Sequence, residues 1–130
     1  MKTSSCKAKG QELQKWVAKK ISELLNIPWG KDEEIASRPS SQSGTDIILS
    51  PRLRKLFPFS TECKNHNRWS VQKDLKQAQA NCLPDTDWLL FYKKKSRKKD
   101  ERIEEIVVLD ANVFFSLLKQ IYEKTEQKSD

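Results

Sequence analysis

Two short segments organise the fold that we predict for this chain: SGTDIIL, residues 43–49, and FSTECKN, residues 59–65. Both read as strands, because each is a short run containing apolar or β-branched residues and bounded by turn residues. Successive side chains of a strand point to opposite faces, so Glu62 and Lys64 stand together on one face. If Asp46 begins the neighbouring strand, its carboxylate converges with that of Glu62.

Three helices are predicted from apolar residues that recur every three or four positions. They extend from Gly10 to about Asn26, from Ser70 to Asn81, and from Ala111 to about Glu126. Ser70 and Asp110 are suited to cap the second and third helices, because their side chains accept hydrogen bonds from free backbone N–H groups. Residues 1–8 and 127–130 are expected to be flexible.

Further strands complete the prediction. A short strand is expected near Glu33–Ser37, and the runs Asp87–Tyr92 and Ile103–Leu109 favour two strands that form a hairpin. Residues Arg52–Phe57 are predicted to be a short basic connection. The order α-β-β-β-α-β-β-α then predicts a single α/β domain, residues 1–130, with a central mixed β-sheet flanked by helices.

The composition indicates a basic protein with a modest core. The chain has 130 residues, a net charge of +7 and 36% hydrophobic residues. A basic surface favours a polyanionic partner, although charge alone does not separate nucleic acid from anionic lipid. No apolar run approaches the ~20 residues that span a bilayer, and no signal-peptide core is present, so we expect a soluble, cytoplasmic protein that does not enter membranes. An odd number of cysteines without a CxxC motif argues against a disulfide framework and a zinc site.

A dense basic cluster lies between the last two predicted strands, in residues 93–102, and is expected to form the exposed loop of the hairpin. Three interpretations stay open: contact with a nucleic-acid backbone, a localisation signal, or a solvated loop. The candidate DNA-binding residues there are Lys93, Lys94, Lys95, Arg97, Lys98 and Lys99. Ahead of Asp46, a polar loop could bring Arg38, Ser43 and backbone amides to a phosphate.

The carboxylates of Asp46 and Glu62 are the expected chemical centre. Mg²⁺ prefers oxygen ligands of this kind, and Lys64 could reach the same substrate atom. Taken singly, a Gly-x-Asp triplet is frequent in turns, and Glu-x-Lys in a strand is often an exposed ion pair. The order of the two motifs, their flanking strands and the basic context favour a functional site. Cys63 points to the other face of a regular strand and is expected to be a core residue.

The triplets Gly44-Thr45-Asp46 and Glu62-Cys63-Lys64 resemble the two core motifs of the PD-(D/E)xK nuclease family. The resemblance covers roughly residues 10–81, and Thr45 stands where the family usually has proline. It implies a restriction-endonuclease-like core in which Asp46, Glu62 and the backbone carbonyl of Cys63 bind Mg²⁺, with Mn²⁺ as a substitute. It also implies that Lys64 orients or activates the attacking water.

Two further features resemble this family. Gln77-Ala78 is similar to a Gln-Ala element that turns a polar side chain toward the site, with Gln79 as a weaker substitute. Residues 9–12 resemble the opening of the first helix of archaeal and phage Holliday-junction resolvases. The acidic residue of that helix falls nearer Gln14, and we prefer Glu12 to Glu34 as its counterpart.

The resemblance therefore implies a Mg²⁺-dependent endodeoxyribonuclease that cuts branched DNA, as a Holliday-junction resolvase or a related phage recombination nuclease does. Symmetric cleavage of two strands by so small a domain implies a homodimer. Two alternatives stay open. One is a non-catalytic DNA-binding recombination accessory protein with the same fold, and the other is a restriction-like or repair nuclease.

Overall fold

The computed structural model describes residues 2–66, 70–94 and 105–128, with the backbone alone at 2–9, 66, 94 and 127–128. Within these residues the chain forms four helices and five strands. Their order is α1 (Lys2–Leu25), β1 (Ile35–Ser37), β2 (Ile47–Leu49), α2 (Pro51–Leu56), β3 (Phe59–His66), α3 (Val71–Ala80), β4 (Asp87–Lys94), β5 (Glu105–Val108) and α4 (Ala111–Lys128). The predicted α/β class is confirmed.

The strands form two small sheets instead of the single central sheet that was predicted. β1 and β2 pair antiparallel, while β3 pairs parallel with β4, and β4 pairs antiparallel with β5. The three-stranded sheet is therefore mixed, and the predicted hairpin partners do pair. A backbone hydrogen bond of 2.9 Å from the Asp46 N–H to the Thr61 carbonyl links the two sheets. β2 has three residues before Ser50 and Pro51 end it.

Helix α2 is a correction to the predicted basic connection at Arg52–Phe57. Pro51 occupies a first-turn position, where its missing N–H costs nothing, and the Ser50 side chain accepts a hydrogen bond from the Leu53 N–H. The Ser50 hydroxyl also donates to the Glu34 carboxylate over 2.7 Å. Leu53 is fully buried. The cap by Ser50, the position of Pro51 and the burial of Leu53 stabilise this six-residue helix.

Other boundaries differ modestly from the predictions. α1 begins at Lys2 rather than Gly10, and α4 continues to Lys128. The Asp110 carboxylate caps α4 by accepting the Asn112 N–H over 2.8 Å, as predicted, whereas the Ser70 side chain makes no capping bond to α3. Residues 103–104 of the predicted last strand lie outside the described residues.

The core forms where α1 crosses both sheets. Its buried members are Leu13, Val17, Ala18, Ile21, Ile35, Ile47, Leu53 and Cys63. Cys63 is thus a core residue, as predicted, and burial raises the pKa of its thiol well above the usual value. Both cysteines whose side chains are described, Cys63 and Cys82, are free. None of the described helices has the length and apolar character needed to cross a bilayer.

Candidate functional site

The two faces of β3 pack against different parts of the protein. Thr61 and Cys63 are buried on the side of α1. The other face lies under α3 and the loop that follows it, where the Ser60 hydroxyl accepts the Leu83 N–H over 2.9 Å. Glu62 and Lys64 share this second face and make their side-chain contacts with α3 and its cap. The predicted alternation along this strand is confirmed.

Asp46 is fixed at the free edge of β3 by backbone and side chain together. Its carbonyl accepts the Arg38 N–H over 2.7 Å, and its own N–H donates to Thr61. Its Oδ2 then accepts the N–H of Cys63 over 2.7 Å. Because the N–H and C=O of one strand residue point to the same side, the Cys63 carbonyl lies at this edge as well. The structure thus brings together the predicted oxygen donors.

Asp46 and Glu62 form a carboxylate pair in which Glu62 is buried and Asp46 is half-buried. Burial raises the pKa of Asp46, although the Cys63 N–H and the Lys64 charge oppose this. Burial raises the pKa of Glu62 to about 7, the Asp46 charge adds to the effect, and the hydrogen bond from Asn81 opposes it. Glu62 is only 2% exposed. A site of this kind binds a proton or a cation to relieve the repulsion.

Lys64 and Glu62 are each held by one side chain from the α3 region. Lys64 Nζ donates to Gln77 Oε1 over 2.6 Å, which places the predicted Gln77 beside the site. Asn81 Nδ2 donates to Glu62 Oε1 over 2.9 Å. Asn81 was not among the predicted site residues. Its spacing of four residues from Gln77 puts both side chains on one helical face and is the signal that could have found it.

The donor set suits a hard divalent ion. Two carboxylates and a backbone carbonyl supply oxygen only, and Mg²⁺ keeps several waters beside such a small protein ligand set. Among the described residues, no group of three or more His, Cys, Asp or Glu side chains is arranged around a metal position. Asp46, Glu62 and the Cys63 carbonyl therefore fit Mg²⁺ through a partial, water-completed set of ligands.

The acidic residues considered for the first helix and β1 lie elsewhere. Glu12 is exposed on α1, whereas Gln14 is buried and its Oε1 has no hydrogen-bond partner among the described residues. Glu34 is engaged at the start of α2, where Arg52 Nη2 donates to its Oε1 over 2.7 Å. The metal role of Glu12 stays a prediction.

Arg38 reaches the site from the loop that precedes Asp46. Its Nε donates to the Thr45 carbonyl, and its positive charge lowers the pKa of Asp46. Gly44 has φ +120°, and a Cβ there would lie 2.8 Å from Arg38 Cζ, so this position requires glycine. Ser43 is exposed in the same loop. The predicted phosphate contact of Arg38 is thus compatible with its position.

The basic cluster is described only at its start. Lys93 lies on β4, and its Nζ is 3.9 Å from Glu105 Oε1. The side chain of Lys94 lies outside the described atoms, and Lys95, Arg97, Lys98 and Lys99 lie outside the described residues. No protein-family model, curated protein or solved structure matches the chain.

Proposed function

We propose that this protein is a Mg²⁺-dependent endonuclease that hydrolyses DNA phosphodiesters, with a restriction-endonuclease-like core of the PD-(D/E)xK type. The observation that carries the proposal is the pair formed by the half-buried Asp46 and the buried Glu62, with Lys64 on the same strand face as Glu62. Burying two carboxylates side by side costs stability unless a bound ligand compensates. A metal that serves catalysis provides that compensation.

The residues have separate roles in this proposal. Asp46, Glu62 and the carbonyl of Cys63 would hold Mg²⁺, and Mn²⁺ would substitute for it. When bound, the ion polarises a phosphoryl oxygen and neutralises the negative charge that develops on it. Lys64 orients the attacking water and adds positive charge beside the phosphate. Gln77 is a positioning residue for Lys64, as is Asn81 for Glu62.

DNA is the substrate that the charge of the molecule favours. The net charge of +7 attracts a polyanion, and Arg38 lies beside the carboxylate pair, where it can bind the phosphate next to the one that is cut. Lys93–Lys99 would contact the backbone further away. The preference for branched DNA rests on the resemblance to Holliday-junction resolvases.

The proposed enzyme acts as a homodimer that pairs through α4. α4 is exposed along most of its length and carries large exposed apolar side chains, including Phe115 at 65% and Tyr122 at 64%. With Phe114, Leu118 and Ile121 they form a face that offers on the order of 500 Å² of apolar surface. Two copies related by a two-fold axis would bury twice that area, about the 1,000 Å² of a specific interface.

Charge supports a second copy as the partner of this face. Within α4, Lys119, Lys124 and Lys128 are nearly balanced by Glu123 and Glu126, so the helix lacks the basic excess that a DNA or anionic-membrane contact requires. An apolar, nearly neutral patch is complementary to itself. A dimer also supplies two carboxylate sites for two strands.

Cleavage assays test the enzyme directly. The protein is incubated with a four-way junction, a linear duplex and single-stranded DNA, in Mg²⁺ and then in EDTA. We expect metal-dependent cutting of the junction, abolished by Asp46→Asn and by Lys64→Ala while DNA binding persists. Lys19→Ala, an exposed lysine on α1, is the matched control.

Each result separates the proposal from its alternatives. Binding without cutting of any substrate would indicate a non-catalytic accessory protein. Cutting of the linear duplex at particular sequences or lesions would indicate a restriction or repair enzyme. A chain that cuts with Lys64→Ala at the normal rate would overturn the role given to that lysine.

A further inference from the structure

A cavity of about 450 Å³ lies between the first half of α1, the turn that follows this helix, and the β1–β2 hairpin. This size is within the range of pockets that hold small organic ligands. Its walls include Trp29, Ala36, Pro39 and Ile48. The stems of Lys15 and Lys31 also line it, and both residues are exposed. The cavity therefore combines an aromatic and apolar lining with two cations at its rim.

Trp29 is held firmly in this wall. It forms a parallel bridge with Ile35 and packs against the core. The Gly30 N–H donates to the Ile35 carbonyl over 2.9 Å, and the Glu33 N–H donates to the Gly30 carbonyl over 3.1 Å. Gly30 has φ +149°, a conformation that favours glycine in this turn. The backbone of Trp29 is thus fixed, and its partly buried side chain can bind a flat ligand with a reduced loss of conformational entropy.

Arg38 connects the cavity to the carboxylate pair. Ser37 and Pro39, the two neighbours of Arg38 in the chain, both line it. Arg38 itself acts on Asp46 through its positive charge. Gln11, which lines the cavity from α1, donates to the Arg38 carbonyl over 3.3 Å. Arg38 thus lies directly between two residues of the cavity wall in the chain.

We propose that this cavity binds one unpaired nucleobase of a DNA strand whose backbone passes over the carboxylate pair. This inference rests on the proposed nuclease function. The base stacks on Trp29 between apolar walls, an interaction that tolerates every base because each has a π-face. Lys15 and Lys31 bind the phosphates on either side. Among the described residues that line the cavity, Asp32 supplies the carboxylate, which can accept a hydrogen bond from a base N–H.

The proposal narrows the substrate class. A base in a duplex is stacked and paired and enters a cavity only after it has been extruded, which costs the free energy of unstacking and unpairing. Nucleotides at a branch point, a flap or a single-stranded end are already free of that cost. The preferred substrate is therefore DNA with unpaired nucleotides close to the cut.

Equilibrium binding in EDTA tests the pocket apart from cleavage. The protein is titrated into three labelled probes: a short thymidine oligonucleotide, a blunt duplex of the same length, and thymidine monophosphate. We expect Trp29→Ala to weaken binding of the oligonucleotide about tenfold, while Trp29→Phe retains most of it. Binding of the duplex should change less than about twofold.

A charge variant and its control complete the test. Lys15→Gln with Lys31→Gln should lower both the affinity and its salt dependence, relative to the exposed pair Lys19→Gln with Lys73→Gln. Circular dichroism confirms that each variant is folded. Equal losses on oligonucleotide and duplex, unchanged binding by a folded Trp29→Ala, or monophosphate binding as tight as the oligonucleotide would each overturn the proposal. Failure of this binding test in EDTA is distinguishable from failure of the proposed nuclease function. The nuclease function fails if the wild-type protein cuts no DNA in Mg²⁺.

Discussion

Glu62 gives the protein a measurable pH dependence of stability. Burial raises its pKa from the ordinary value of 4.5 to about 7, so between these values the folded state binds more protons than the unfolded state. The stabilising effect is complete below about pH 4.5 and is lost as the pH rises through 7. We expect the free energy of unfolding of the metal-free protein to fall by on the order of 2 kcal/mol between pH 5 and pH 8. Urea unfolding in EDTA measures it.

Two variants assign this effect to the site. Glu62→Gln should flatten the profile, whereas Glu23→Gln, an exposed glutamate on α1, should leave it unchanged. Asp46 acts in the same direction, because burial raises its pKa too. Glu34 does not contribute in this window, since hydrogen bonds from Arg52 and Ser50 lower its pKa. A free energy of unfolding that rises from pH 5 to pH 8 would contradict the raised pKa values of Asp46 and Glu62.

The candidate site was partly predictable at the level of residues. The positions of Glu62, Lys64 and Cys63 follow from the alternation of a strand, which is a local rule. The closeness of Asp46 to Glu62 depended on how two strands meet, and it was predicted only on the condition that Asp46 begins the neighbouring strand. Asn81 was not foreseen, because its contact with Glu62 depends on where α3 lies over the sheet, and local sequence does not encode this.

Helix α3 acts as the element that positions the site. Removing the Asn81 amide in Asn81→Ala deletes the hydrogen bond that lowers the pKa of Glu62. The carboxylate then releases its proton less readily, so Mg²⁺ competes less well. We expect Mg²⁺ affinity at pH 7 to fall about 10- to 100-fold and to recover as the pH is raised, as measured by calorimetry. Gln79→Ala, an exposed position on the same helix, is the control. An equal loss at every pH would argue for a general structural defect.

The same helix is tied to β4 by a buried polar pair. The Tyr92 hydroxyl donates to Asp74 Oδ2 over 2.6 Å, and Asp74 is 3% exposed. Tyr92→Phe removes the donor while the carboxylate stays buried, so we expect a loss of about 2 kcal/mol in the free energy of unfolding. Chemical denaturation checks this value. Tyr92 is the register partner of Lys64 across β3 and β4. The folded variant should still cut DNA, and loss of cutting without loss of stability would contradict a purely structural role.

Helices and strands were predicted correctly where the hydrophobic pattern extended over many residues. The element that was missed has only a few residues. The three long helices and the hairpin of β4 and β5 were placed correctly, with errors mainly at their ends. α2 was missed because six residues are too few for a period, although Ser50 and Pro51 carried its start signal. The division into two sheets was missed because strand pairing is not local.

At the scale of the whole molecule, the exposed face of α4 predicts the oligomeric state. Phe115→Glu places a charge in the proposed interface and should weaken the dimer by at least about 2 kcal/mol. Sedimentation velocity should then show a monomer at concentrations where the wild type is a dimer. Gln120→Glu adds the same charge at another exposed position of α4 and should stay dimeric. A wild-type chain that is monomeric at every concentration would refute the pairing.

The hydrogen bond from the Cys63 N–H to Asp46 can be followed by hydrogen–deuterium exchange. In a continuous sheet, a backbone carbonyl would accept the Cys63 N–H. Here the Oδ2 of Asp46 accepts it, so a side chain makes one of the hydrogen bonds between β2 and β3. The deuterium exchange rate of the Cys63 amide therefore reports whether this hydrogen bond is formed. Exchange should be slow in the wild type, faster in Asp46→Asn and fastest in Asp46→Ala. An inactive protein for complexes with DNA is thus better made with asparagine, which retains an acceptor for this amide.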